Sequence, residues 1–159
     1  MAKTVFYSFH YTRDVHRVQL VKNINALEGQ PILNSQQWEK VRRGGTPAIQ
    51  RWIDGEMMYK RAVVVLIGKE TAARPWVKYE ILKAWSIKKP LVGIRIHGVS
   101  SMGTVDTMGG DPFTSAGLSG VPIYDPTVKD WWGRIDSQAT YRALATNIAQ
   151  WAAQGVTRR

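Results

Sequence analysis

The sequence predicts an α/β fold in which a parallel sheet is covered on both faces by helices. Three observations carry this. Arg61–Ile67, RAVVVLI, is an unbroken apolar run, which is what a strand needs when both of its faces are buried. Strand-like and helix-like stretches alternate through nearly the whole chain. The chain has 159 residues, enough for one domain spanning 1–159 that buries roughly two-thirds of its unfolded surface without a disulfide or metal staple.

The elements follow in order. Thr4–Phe9, TVFYSF, is β-branched and aromatic and reads as a buried first strand. Asp14 is positioned to cap the helix that follows, along which Val15, Val18, Val21 and Ile24 recur at near-helical spacing, with Leu27, Glu28 and Gly29 as a glycine-terminated end. Pro31–Leu33 reads as a weak second strand, and Ser35–Gly45 as a polar loop carrying Trp38. Thr46 and Pro47 are an N-cap and first-turn proline for a helix to about Met58. RAVVVLI is the central third strand. Pro75 opens the next helix, which runs to about Lys88 with lysines towards its carboxyl end. Pro90–Ile96 is a fourth strand, Gly98–Gly120 a long Gly-, Ser- and Thr-rich loop with room for a short turn, and Val121–Tyr124 an edge strand. Ser137–Ala153 is a closing amphipathic helix with Tyr141, Leu144, Ile148 and Trp151 near one stripe. This succession fits a flavodoxin-like three-layer fold with a central parallel sheet of order 2-1-3-4-5.

Composition narrows the function. There is no cysteine, which excludes a disulfide framework, thiolate catalysis and cysteine zinc sites and suits a reducing compartment. The opening MAKTVFYSF is too short for a signal sequence and no stretch reaches the roughly 18 apolar residues of a membrane span, so the expected location is the cytoplasm. Net charge is +10, but the densest basic groups (Arg42 with Arg43, Lys88 with Lys89, Arg158 with Arg159) are scattered pairs without a nucleic-acid-reading motif. A phosphorylated small molecule is an equally good use of the charge. No His and carboxylate cluster has metal-ligand spacing.

In a sheet of order 2-1-3-4-5 the chain leaves strands 1 and 3 in opposite directions, opening a crevice at their carboxyl ends. The loop after strand 1 holds His10, Tyr11, Thr12 and Arg13; the segment after strand 3 leads to Trp76 and Glu80, which lie at i and i+4 on one helix face. The Trp38 loop is placed to cover the crevice. From spacing alone, Glu80 is a surface acid paired with Lys83 at i+3; its place beside the crevice argues for chemistry instead.

The strand VFYSF followed by HYTRD, the apolar third strand and the W-x-x-x-E arrangement of Trp76 and Glu80 resemble a TIR domain. More narrowly, FYSFHYTRDVHRVQLVKN resembles the TIR-like branch that includes the ThsB proteins of the Thoeris antiphage system. The resemblance implies an enzyme that cleaves the nicotinamide glycosidic bond of NAD with the glutamate that Glu80 matches, and makes a cyclic ADP-ribose isomer that activates a separate effector. It also implies a trigger, for which a phage product is one candidate, and leaves the oligomeric state open, with a homo-oligomer as one way of switching activity on.

The chemistry is consistent with that implication. Breaking the bond to a cationic nicotinamide builds oxocarbenium character on the ribose, which a carboxylate stabilises while holding the ribose hydroxyls. The departing ring becomes neutral, so no second catalytic carboxylate is required. Phe9, His10, Tyr11, Trp38 and Trp76, with Arg13 and Asp14, form the expected substrate-binding set, Asp14 in a subordinate role of ordering the substrate loop; Arg13, Arg17 or Lys69 are the candidates for holding a pyrophosphate. His16 and His97 read as surface or loop histidines. Ser8 lacks a nucleophile elbow, which excludes serine hydrolysis. With no P-loop and no G-x-G-x-x-G, NAD is expected as a substrate in an open crevice, with no resident cofactor or metal. Two other readings share these residues: a noncatalytic adaptor acting by assembly, and a nucleoside deoxyribosyltransferase-like enzyme.

Overall fold

The structure, a computed structural model, describes residues 3–159. Five strands, β1 (Lys3–Ser8), β2 (Leu27–Gly29), β3 (Ala62–Ile67), β4 (Leu91–Arg95) and β5 (Ile123–Tyr124), form one sheet of order β2-β1-β3-β4-β5. Every pairing is parallel, as the covered apolar run of β3 requires.

Strand alternation divides the core into two layers. Val64 and Leu66 point to the face covered by α1 (Tyr11–Asn23) and α6 (Ser137–Ala152), where Val18, Val21, Leu144 and Ile148 pack. Val63, Val65 and Ile67 point to the other, where α3 (Gly45–Met58) and α4 (Pro75–Ser86) bring Ile53, Met57, Val77 and Ile81. All six residues of β3 are fully excluded from solvent. Full burial of each large apolar side chain contributes about 1.5–3 kcal/mol, so β3 anchors the molecule.

The first half of the chain departs from the sequence expectation in four places. The helix after β1 starts at Tyr11 with His10 as its cap, so Asp14 is a buried first-turn residue and not the N-cap. That helix stops at Asn23, because Asn25 takes the left-handed conformation (φ 61°) that asparagine tolerates. Leu27–Gly29, expected as the helix end, is thereby released to form β2, and Pro31–Leu33 is not a strand. Instead the Gln30 side chain takes over the ladder, accepting from Tyr7 N–H at 2.9 Å and donating to Tyr7 C=O at 2.8 Å. Third, Ser35–Arg43 is a helix, α2, and not a loop. Asn34 and Gln37 close a reciprocal capping box at its start, with bonds of 2.8 and 2.9 Å. Gly45, at φ 76°, breaks α2 from α3, whose cap is Gly44 rather than Thr46.

From β3 onward the elements lie close to where the sequence places them, including Pro75 at the first position of α4 and a short helix α5 (Pro112–Ser115) within the long loop. His97, expected as a surface or loop histidine, lies in the turn after β4 but is only 4% exposed, its Nε2 lying 3.3 Å from Thr127 Oγ1. His16 is exposed. No helix among the described residues is long and apolar enough to cross a membrane.

Candidate active site

A cleft of about 380 Å³ opens at the carboxyl ends of β1 and β3, where the connections leave the sheet in opposite directions. Phe9, His10, Tyr11, Trp38, Trp76 and Glu80 all line it. Sequence positions from three separate segments are thus brought to one place.

Glu80 comes from α4, whose buried stripe of Val77, Ile81 and Ala84 packs beneath the sheet and draws the glutamate in with it. Only 7% of Glu80 is exposed. Its Oε1 accepts a 2.7 Å hydrogen bond from Ser8 Oγ at the last position of β1, and Oε2 has no hydrogen-bond partner among the described residues. Burial pushes the Glu80 carboxyl up to about 8, against the opposing pull of the Ser8 hydroxyl. Glu80 is therefore not a surface acid paired with Lys83, whose ammonium lies 3.8 Å from Asp54 instead.

One wall of the cleft is a run of rings. Phe9 and Tyr11 are 6.1 Å apart and inclined by 29°, Tyr11 and Trp38 are 6.0 Å apart and inclined by 23°, and Trp52 meets Trp38 edge-on at 6.2 Å. The Tyr11 hydroxyl donates to the Leu33 carbonyl, which fixes its ring. Trp76 stands one turn before Glu80 and packs edge-on against Tyr79 at 5.6 Å. Burial lowers the His10 pKa, with the charges of Arg74 and Arg13 acting in the same direction and Glu70 opposing them.

Arg13 and Asp14 are not among the lining residues. Arg13 forks onto Asp106 with two bonds of 2.9 Å and reaches Glu70 at 3.2 Å. Asp14, fully buried, is 3.1 Å from Arg17, and burial raises its pKa against the lowering effect of that guanidinium. Arg17 also binds the carbonyls of Val99 at 2.8 Å and Thr104 at 3.1 Å. Together these groups tie α1 to the loop after β4. Arg17 and Lys69 do not line the cleft either.

The sequence reading missed four residues. Ser8 was weighed only as a nucleophile, although at the end of β1 it lies behind the cleft lining and holds Glu80. Trp52 extends the ring wall, and the cations that do line the cleft are Arg42 and Arg74. Arg42 follows Trp38 by one helical turn, a spacing visible once α2 is known to be a helix. No group of three or more potential metal ligands occurs among the described residues.

The family model described as Thoeris protein ThsB, TIR-like domain, matches residues 6–101, a window that holds Ser8, the ring wall and Glu80. The chain belongs to this family. Over 124 residues this ThsB-type TIR protein is 34% identical to ThsB1 of Bacillus cereus (strain MSX-D12), provisionally named as a cyclic ADP-D-ribose synthase. That match takes in 74% of this chain and 64% of ThsB1, so the chain spans less than two-thirds of its relative. The family window ends at residue 101, leaving β5, α6 and most of the long loop outside it.

Proposed function

We propose that this protein cleaves the bond between nicotinamide and ribose in NAD and closes the remaining ADP-ribose into a cyclic isomer, which acts as a diffusible signal to an effector in antiphage defence. The observation that carries this reading is Glu80: a carboxylate at the base of an aromatic cleft, held by Ser8 through one oxygen with the other oxygen left for a ligand. The name of ThsB1 supports cyclisation as the outcome.

In the proposed reaction the electron pair of the C1′–N bond leaves with nicotinamide, which departs neutral. The positive charge that grows on the ribose is stabilised by ionised Glu80, and the cation of the substrate itself favours that ionised form. A hydroxyl or ring nitrogen of the same nucleotide then bonds to C1′ through its lone pair: a hydroxyl gives up its proton, which Glu80 accepts, whereas a ring nitrogen takes the positive charge onto its base. The ring wall of Tyr11 and Trp38 favours a folded-back substrate and limits water, so that the internal acceptor arrives first. No resident cofactor is needed, because NAD is the substrate.

The test is to incubate the protein with NAD at low and high concentration, and with phage lysate as a source of trigger, following nicotinamide release and product mass beside Glu80→Gln. Release by the parent and not by the variant is expected. Equal release by both would remove Glu80 from the chemistry, and release from nucleosides in preference to NAD would favour the transferase reading.

A further inference from the structure

We infer that Arg42 and Arg74 form a two-sided phosphate grip at the cleft, which selects a pyrophosphate-linked dinucleotide over a nucleoside. This rests on the reading of the cleft as an NAD site, and goes beyond it by assigning the residues that read the phosphates.

The assignment starts from charge. Arg13 and Arg17 have their guanidinium groups committed to Asp106, Glu70, Asp14 and backbone carbonyls, all outside the cleft lining. Arg42 and Arg74 both line the cleft and come from different elements, Arg42 from α2 and Arg74 from the cap position before α4. The Arg74 guanidinium has no hydrogen bond or salt bridge among the described residues, and the residue is exposed. Arg42 makes one 3.0 Å pair with Glu39, both side chains more than half exposed, a pair that a phosphate readily replaces.

Position supplies the second argument. Arg42 stands one turn beyond Trp38 on the same helix, which puts a cation beside the ring wall on which a base would stack. Arg74 is the cap residue that precedes α4, two positions before Trp76 and six before Glu80, which puts a cation at the start of the helix that carries Glu80, within reach of the phosphate of a nucleotide whose ribose lies at Glu80. The two cations therefore match a ligand with a base and ribose at each end and phosphates between. A guanidinium binds phosphate through two parallel bonds, which makes it selective as well as attractive. A nucleoside would leave both groups unused.

The experiment is calorimetric binding in a Glu80→Gln background, so that no ligand is consumed, using NAD, nicotinamide mononucleotide and nicotinamide riboside. Arg74→Glu and the pair Arg42→Glu with Arg74→Glu are compared with Arg74→Lys, and circular dichroism confirms that each is folded. NAD is expected to bind most tightly and the riboside most weakly. Each charge reversal should weaken NAD by about tenfold or more, since a charged hydrogen bond contributes roughly 1.5–3 kcal/mol, while leaving the riboside nearly unchanged. Arg74→Lys should recover part of the loss. NAD bound by the background protein and equally well by the double reversal would overturn the grip and leave the NAD site standing. Failure of the parent and the background protein alike to bind NAD, with or without lysate, would overturn both.

Discussion

Ser8 Oγ lies 2.7 Å from Glu80 Oε1, joining the end of the first strand to the helix that follows the third. A hydroxyl donor stabilises the ionised carboxylate, while burial does the opposite and wins, placing the group near pH 8. Ser8→Ala removes the one favourable contact. The apparent pKa governing nicotinamide release, read from kcat/KM against pH, should move upward, with the loss of rate greatest near neutrality and recovering towards high pH. Ser8→Thr keeps the hydroxyl and should retain most of the parent profile. An unmoved profile in Ser8→Ala would show that the hydroxyl does not tune Glu80.

The same shift makes a prediction about stability. Folded Glu80 holds its proton to about pH 8, whereas the unfolded chain releases it near 4.5. The stabilisation is complete below 4.5 and is lost as pH rises through 8, with a slope of up to about 1.4 kcal/mol per pH unit between them. Glu80→Gln carries no such proton. Urea denaturation at pH 5 and pH 8 should therefore show the variant gaining on the parent as pH rises.

Arg17 is the partner that makes a fully buried Asp14 tolerable. Arg17→Met leaves that carboxylate unpaired and should cost about 3–5 kcal/mol in urea denaturation at pH 7. Since Arg17 holds the Asp14 pKa down against burial, its removal lets Asp14 protonate more readily, and the defect should shrink at pH 5. Adding Asp14→Asn should recover part of the loss at pH 7.

Asn34→Ala opens the capping box of α2 and should cost about 1 kcal/mol. Because α2 carries Trp38 and Arg42, the variant should also raise KM for NAD more than it lowers kcat. Parent kinetics in a measurably destabilised variant would separate the helix from the site.

Gly93 sits in β4 where an added Cβ would meet Phe113 at 2.7 Å and Ile67 at 2.8 Å. Gly93→Ala should therefore destabilise by about 1–3 kcal/mol through overpacking, detectable as a lowered Tm, with Phe113→Leu relieving part of it.

The second half of the fold was legible because its signals agree with one another: β3 is apolar throughout, Pro75 marks a helix start, and strand follows helix in step. The region from Leu27 to Arg43 was not, for identifiable reasons. Asn25 performs the left-handed turn that Gly29 was expected to make, while Gly29 is small for another purpose, since a Cβ there would meet the Tyr7 ring at 2.5 Å. The Gln30 side chain imitates a strand, a contact no periodicity reveals. The start of α2 did have a readable signal in Asn34-x-x-Gln37, but it was hidden by the surrounding polar composition. For the site, the switch point located the cleft and its aromatic residues, whereas the choice among arginines depended on which guanidinium groups the fold had already engaged. Sequence lists cations without saying which are spent.

Ser8 and Glu80 meet across 72 positions of sequence. Closing so long a loop precedes any reward from the contact, so it belongs to the late, non-local part of assembly. Until β1 and β3 have paired and α4 has docked, Glu80 is an ordinary acid in water with an ordinary affinity for protons. A nascent chain halted before α4, a fragment cut between them or a chain frayed at β1 holds neither the buried carboxylate nor its partner. The raised proton affinity is thus a property of the finished molecule, and following Glu80 ionisation during refolding would time a late step of its construction.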